Sequence, residues 1–66
     1  MQIILNGQPQ EIASGLNIET LVKELELEAT ALVAEYNEQI LSREDWAQIS
    51  LAENDKLELI KFCGGG

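Results

Sequence analysis

Histidine is absent from this 66-residue chain, and cysteine occurs once, at Cys63. A lone cysteine closes no internal disulfide, and without histidine no zinc-type ligand cluster can be assembled. The commonest general base of enzymes is missing too, and Ser14, Ser42 and Ser50 have no evident base partner. Cations are scarce. Lys23, Arg43, Lys56 and Lys61 stand against 12 Asp and Glu, for a formal net charge of −8. Such a surface repels phosphate backbones and argues against nucleic acid as a partner. It suits docking on a basic protein surface, where charge mainly speeds encounter, or it serves solubility alone. Long apolar runs are lacking as well. None is longer than Ala31–Ala34, far short of the ~20 residues that span a bilayer. Met1-Gln2-Ile3 offers no basic or cleavable apolar leader. No membrane partner is expected, and the single thiol fits a reducing cytoplasm.

What the chain does have is glycine, concentrated at one end. Three of its five glycines form Gly64-Gly65-Gly66, directly after the apolar stretch that ends at Phe62 and Cys63. Glycine contributes no apolar surface and loses the most backbone freedom on ordering. These three therefore do nothing for a core. The expectation is a thin strip that can thread a narrow slot and bring a terminal carboxylate against another protein's catalytic groups. The expected division is a folded domain over residues 1–62 and a flexible tail over 63–66. The plain alternative is a frayed chain end.

One domain is expected from this length, burying about 60% of its unfolded surface around a small core. Gln2–Leu5 reads as a strand, Asn6-Gly7 as a two-residue hairpin turn, and Gln8–Ala13 as the returning strand. Pro9 lacks an amide donor, which puts that strand at a sheet edge. Asn17 is a fitting N-cap, and Ile18, Leu21, Val22 and Leu25 form one helical stripe. The helix end, near Leu27 or Glu28, carries no strong stop signal. Ala31–Tyr36 reads as a third strand, Asn37-Glu38 as a turn, and Gln39–Leu41 as a short extended piece. Ser42 to Trp46 has the pattern of a capped helical turn with Asp45 reaching back. Leu57–Phe62 is the last strand, placed parallel to the first. The fold class is α+β: a mixed sheet of four to five strands, one main helix on one face and a short helical turn, which is the β-grasp arrangement.

Strand alternation turns Leu57, Leu59, Ile3 and Leu5 toward the helix. Ile4, Val33, Ile60 and Phe62 then fall on the open face with Glu58, a candidate apolar docking patch rimmed by acid. The other reading of these residues is scattered surface hydrophobes or a dimer contact. Trp46 reads as a core or lid residue. Arg43 is a candidate for pairing with Glu44 or another nearby acid.

Several segments together resemble the thiamine-biosynthesis sulfur carrier family (ThiS): Met1 to Gly7, the helix from Asn17 to Leu25, Tyr36-Asn37-Glu38-Gln39-Ile40, Arg43-Glu44-Asp45-Trp46, and the Gly65-Gly66 end. The likeness runs the full length. The Arg-x-x-Trp piece separates it from the molybdopterin-synthase small subunit, which is similar in fold and tail. Cys63 departs from the aliphatic residues commoner at that place. It is either a neutral replacement or a thiol that pairs with a partner or relays sulfur. The resemblance implies a protein co-substrate rather than an enzyme, with no catalytic residue and no bound cofactor. An adenylating enzyme of the ThiF/MoeB kind uses ATP and Mg²⁺ to convert the Gly66 carboxylate to an acyl-adenylate. A sulfur donor such as a cysteine desulfurase supplies the sulfur, and the resulting thiocarboxylate serves thiazole synthase. Gly65 and Gly64 give access and reach, and the free carrier is implied to be a monomer. Other readings keep the tail and change what it is used for. They are a carrier for molybdopterin or tRNA thiolation, a ubiquitin-like modifier joined through Gly66, or a simple binding module.

Overall fold

Two tight turns led by asparagine shape the sheet. Asn6 (φ 51°) and Gly7 (φ 83°) both take the left-handed conformation that lets a two-residue turn follow the natural twist of its strands. They join β1 (Gln2–Leu5) to β2 (Gln8–Glu11), with Leu5 opposite Gln8. Asn37 (φ 47°) and Glu38 (φ 74°) repeat the device between β3 (Leu32–Tyr36) and β4 (Gln39–Ile40). The computed structural model describes residues 1–61.

The last strand, β5 (Lys56–Lys61), occupies the centre of a five-stranded sheet ordered β2-β1-β5-β3-β4. It runs parallel to β1 and antiparallel to β3, so the sheet is mixed, as expected. β2 is an outer strand, which accommodates Pro9 without a missing ladder bond. It ends at Glu11 rather than Ala13, although Ile12 N–H still donates to Met1 C=O at 2.8 Å.

One helix, α1 (Ile18–Glu24), lies across one face. Asn17 caps it as expected: its side-chain oxygen accepts from Thr20 N–H at 2.7 Å. The helix is shorter than its apolar stripe suggested. Glu26 turns left-handed (φ 59°), its N–H donates to Lys23 C=O, and Leu27 N–H donates to Val22 C=O. This is a Schellman stop with glutamate where glycine is usual, so the sequence carried no visible terminator. A 3-10 turn over Ala29–Ala31 then feeds β3, which starts one residue later than expected.

The core holds Ile3, Ile18, Leu21, Val22, Ala34, Trp46, Leu51, Leu57 and Leu59. Trp46 comes from a 3-10 helix, Arg43–Gln48, whose start is tied by the Asp45 carboxylate accepting from Ser42 Oγ–H at 2.9 Å. Arg43 does not pair with neighbouring Glu44. It reaches α1, forming two hydrogen bonds to Glu19 (2.7 and 3.3 Å), and its guanidinium lies 4.6 Å from the centre of the Trp46 ring. The two helical pieces are thereby clamped over the same side of the sheet.

Candidate functional site

The sequence points to the end of β5 and the open face beside it. β5 runs out at Lys61, and Phe62, Cys63, Gly64, Gly65 and Gly66 lie outside the described residues. The expected tail over 63–66 and the docking role of Phe62 lie there too. What the structure positions is the strand that leads to them. β5 is held by β1 at its start and by β3 along its length.

Its alternation is as the sequence implied. Leu57 and Leu59 are buried under the helix, while Glu58 and Ile60 face outward. Val33 stands opposite Ile60, and Glu35 opposite Glu58. Residues directly opposed in an antiparallel pair have Cβ atoms ~5 Å apart, so Val33 and Ile60 form one apolar unit. Ile60 is 45% exposed. Ile40, which sequence reading left without a face, continues this unit. It stands opposite Glu35 and is 67% exposed, the most open large hydrophobe of the described residues. Its place was readable in principle. A two-residue turn at Asn37-Glu38 pairs Tyr36 with Gln39 and so Glu35 with Ile40, on the face that Val33 and Ile60 share.

Ile4 does not join the patch. In the parallel register it is level with Lys56, four residues before Ile60. At ~3.3 Å per residue that is about 13 Å along the sheet, with Lys56 and Glu58 lying between. Alternation had placed Ile4 on the right face, but only the register of β1 against β5 gives its height.

The opposed Glu35 and Glu58 carry the electrostatics of this face. Like charges directly across a strand pair repel, and neither forms an ion pair among the described residues. A sheet that keeps such a pair beside exposed Ile60 and Ile40 presents an apolar strip edged with uncompensated acid. That is complementary to a basic, apolar-centred partner surface.

At the far end of β5 a polar knot fixes the strand. The Asp55 carboxylate accepts from Tyr36 Oη–H (2.7 Å), Ala52 N–H (2.8 Å) and Asn37 Nδ2–H (3.3 Å), while Asn37 Oδ1 accepts from Lys56 N–H (2.9 Å). Partial burial works against the charge of Asp55, but the hydrogen bonds from Tyr36, Ala52 and Asn37 outweigh it and hold the carboxyl below its usual range. The same bond, with burial, raises the Tyr36 phenol. Glu19 is likewise held low, first by its hydrogen bonds from Arg43. No helix is long and apolar enough to cross a membrane among the described residues.

Comparison with known proteins meets this geometry. The model of the ThiS family matches residues 3–66, nearly the whole chain. The chain belongs to the ThiS family. Sulfur carrier protein ThiS of Escherichia coli (strain K12) is 32% identical over 66 residues, covering 100% of both chains. The crystal structure of the thiamine biosynthesis protein ThiS from Geobacter metallireducens superposes with a TM-score of 0.87 at 30% identity, again covering 100% of both chains. The ubiquitin-like β-grasp is therefore the fold of this ThiS-family chain. A thiazole synthase of Paramagnetospirillum magneticum (strain ATCC 700264 / AMB-1) is 30% identical over 66 residues. The chain spans only 20% of the length of that enzyme, and the same share of a thiazole synthase from Magnetococcus marinus.

Proposed function

We propose that this chain is a sulfur carrier of thiamine biosynthesis and that the carboxylate of Gly66 is the group that is activated and loaded. The observation that carries this reading is the family match, which continues through the three glycines to residue 66. The Escherichia coli sulfur carrier, matched over its whole length, supports it further.

The chemistry follows from the carboxylate. An α-carboxylate has a pKa of about 3.3–3.7 and is an anion at neutral pH, so it resists nucleophiles. An adenylating enzyme of the ThiF/MoeB kind joins it to the α-phosphoryl group of ATP, with Mg²⁺, and releases pyrophosphate. The acyl-adenylate now has a leaving group. The terminal sulfur of a persulfide donor, such as a cysteine desulfurase, displaces AMP to form an acyl persulfide, and a second thiol then takes the donor's sulfur as a disulfide and releases the thiocarboxylate. Glycine at 65 and 66 leaves the acyl carbon unobstructed to both the nucleotide and the incoming sulfur. The carrier supplies no catalytic group and holds no cofactor. It is a co-substrate of the cytoplasm, a monomer when free. Cys63 acts as a neutral replacement in this scheme.

Docking falls to the open face: Ile60, Val33 and Ile40 as the apolar strip and Glu58 and Glu35 as its acidic edge, with Phe62 assigned to docking from the sequence alternation alone. The consumer of the sulfur is thiazole synthase. Two thiazole synthases contain a stretch similar to this chain within their own sequences, which supports direct association of carrier and ring-forming enzyme.

Intact mass decides the matter. With ATP, Mg²⁺, a sulfur source and the adenylating enzyme, the protein should gain the difference between a sulfur and an oxygen atom, and a variant lacking Gly66 should gain nothing. An unchanged mass in the complete system overturns the proposal. A stable adduct on target lysines would instead make the chain a modifier.

A further inference from the structure

A second surface lies on the helix side of the sheet, where β5 outruns β1. The odd-numbered residues of β5 turn their backbone groups toward β1. Leu57 C=O accepts from Asn6 N–H at 2.9 Å, and Leu59 N–H donates to Asn6 Oδ1 at 2.8 Å. The chain then leaves through the Asn6-Gly7 turn, and pairing with β1 stops at Leu57. The next groups in that row, Leu59 C=O and Lys61 N–H, have no strand opposite them among the described residues. Asn6 thus acts as a one-residue substitute for a neighbouring strand, and beyond it the edge is open.

Beside this edge is a cavity of about 370 Å³. Its apolar walls are Leu27, Ala31, Leu32 and Leu59, with Leu27 43% exposed. Glu26 and Glu28 stand on its rim against a single Lys61, so the mouth is net acidic. The Schellman stop holds this rim in place: the left-handed Glu26 bends the chain so that Leu27 and Glu28 overhang the edge rather than continue α1.

We propose that this edge is a docking site for an extended segment of a partner protein, laid alongside β5, that puts one aliphatic side chain into the cavity and neighbouring lysine or arginine side chains against Glu26 and Glu28. Three features fix that chemistry. Open strand groups call for an extended backbone. Four apolar walls call for an aliphatic side chain. Two acids against one base, in a chain of formal net charge −8, call for cations. The site is separate from the open face of Ile60 and Ile40 and stands whether or not that face docks the activating enzyme. It also reaches Lys61, the last described residue of β5.

The test uses the full ¹⁵N-labelled chain and a short blocked peptide of alternating lysine and valine. Amide signals of Leu27, Leu59 and Lys61 should shift, and hydrogen exchange at Lys61 should slow by ~5-fold or more at saturation. A Glu26→Gln, Glu28→Gln double variant with native-like spectra should bind the peptide ~3- to 10-fold more weakly. An alternating glutamate and valine peptide should produce no shifts at the same concentration. The proposal is overturned by shifts confined to β2 or β4, by equal binding of the acidic peptide, by absence of shifts at millimolar peptide, or by concentration-dependent pairing of the chain with itself through this edge.

Discussion

Replacing Asp55 with alanine tests whether the polar knot at the start of β5 holds the sheet together. Three donors lose their acceptor at once: Tyr36 Oη–H, Ala52 N–H and Asn37 Nδ2–H. The two shorter bonds involve a charged acceptor and contribute ~1–1.5 kcal/mol each, and the longer one about half of that. Partial solvent access to the freed donors reduces the sum to about 2 kcal/mol. For a domain of this size each kcal/mol moves the midpoint by ~4–8 °C, so Asp55→Ala should melt about 8–16 °C below the parent at neutral pH. The pH dependence adds a second condition. The carboxyl of Asp55 is lowered in the folded state, so the unfolded chain binds the proton more readily. Its stabilisation is complete above the unfolded aspartate value of about 3.9 and is lost as pH falls through the lower folded value. The gap between parent and variant should be flat from neutrality down to that range and then narrow. Thermal unfolding followed by the fluorescence of buried Trp46 gives both quantities. A midpoint within about 2 °C of the parent, or a gap that stays constant into strong acid, refutes the reasoning.

Other consequences can be read in the same way. Tyr36 is raised in the folded state, so its contribution is complete below about pH 10 and fades as pH rises through the folded value; Tyr36→Phe should remove that alkaline loss in a pH-resolved melt. Glu26→Gly places glycine at a left-handed helix stop and should raise stability by ~0.5–1 kcal/mol in urea titration, whereas a loss would mean that the Glu26 side chain carries structure. Ile60→Lys with Ile40→Lys should leave the circular dichroism spectrum intact and slow adenylation by the partner enzyme ~10-fold or more, while unchanged kinetics would remove the open face from docking. Gly65→Val should keep the melting midpoint and block formation of the thiocarboxylate by intact mass, since a side chain next to Gly66 crowds the acyl carbon.

Local chemistry made most of the fold legible. Asn6-Gly7, Asn17 and the Ser42–Asp45 box each state their conformation in the residues themselves, and each stands where the sequence put it. The stop after α1 was not legible, because Glu26 adopts a glycine-like conformation without being glycine or asparagine, and only the bonds from Glu26 and Leu27 back to the helix reveal it. On the open face, alternation assigned Ile4, Val33, Glu58 and Ile60 to the correct side. Alternation has no information about height, however, so it grouped Ile4 with Ile60, which the register between the distant strands β1 and β5 decides, and it passed over Ile40, whose place follows from the local turn between β3 and β4. Arg43 met Glu19 for a related reason: the partner comes from 24 residues away, where sequence proximity suggested Glu44.

Because the strand made late, β5, sits between β1 and β3, the ribosome makes both hairpins before the strand that joins them into one sheet. A nascent chain stopped short of Lys56 leaves the facing edges of β1 and β3 unpaired, an opening for proteases. Only a polypeptide elongated through Lys61 has the full ladder between the two hairpins. Synthesis thus carries its own proofreading, in which the five-stranded sheet closes only with β5.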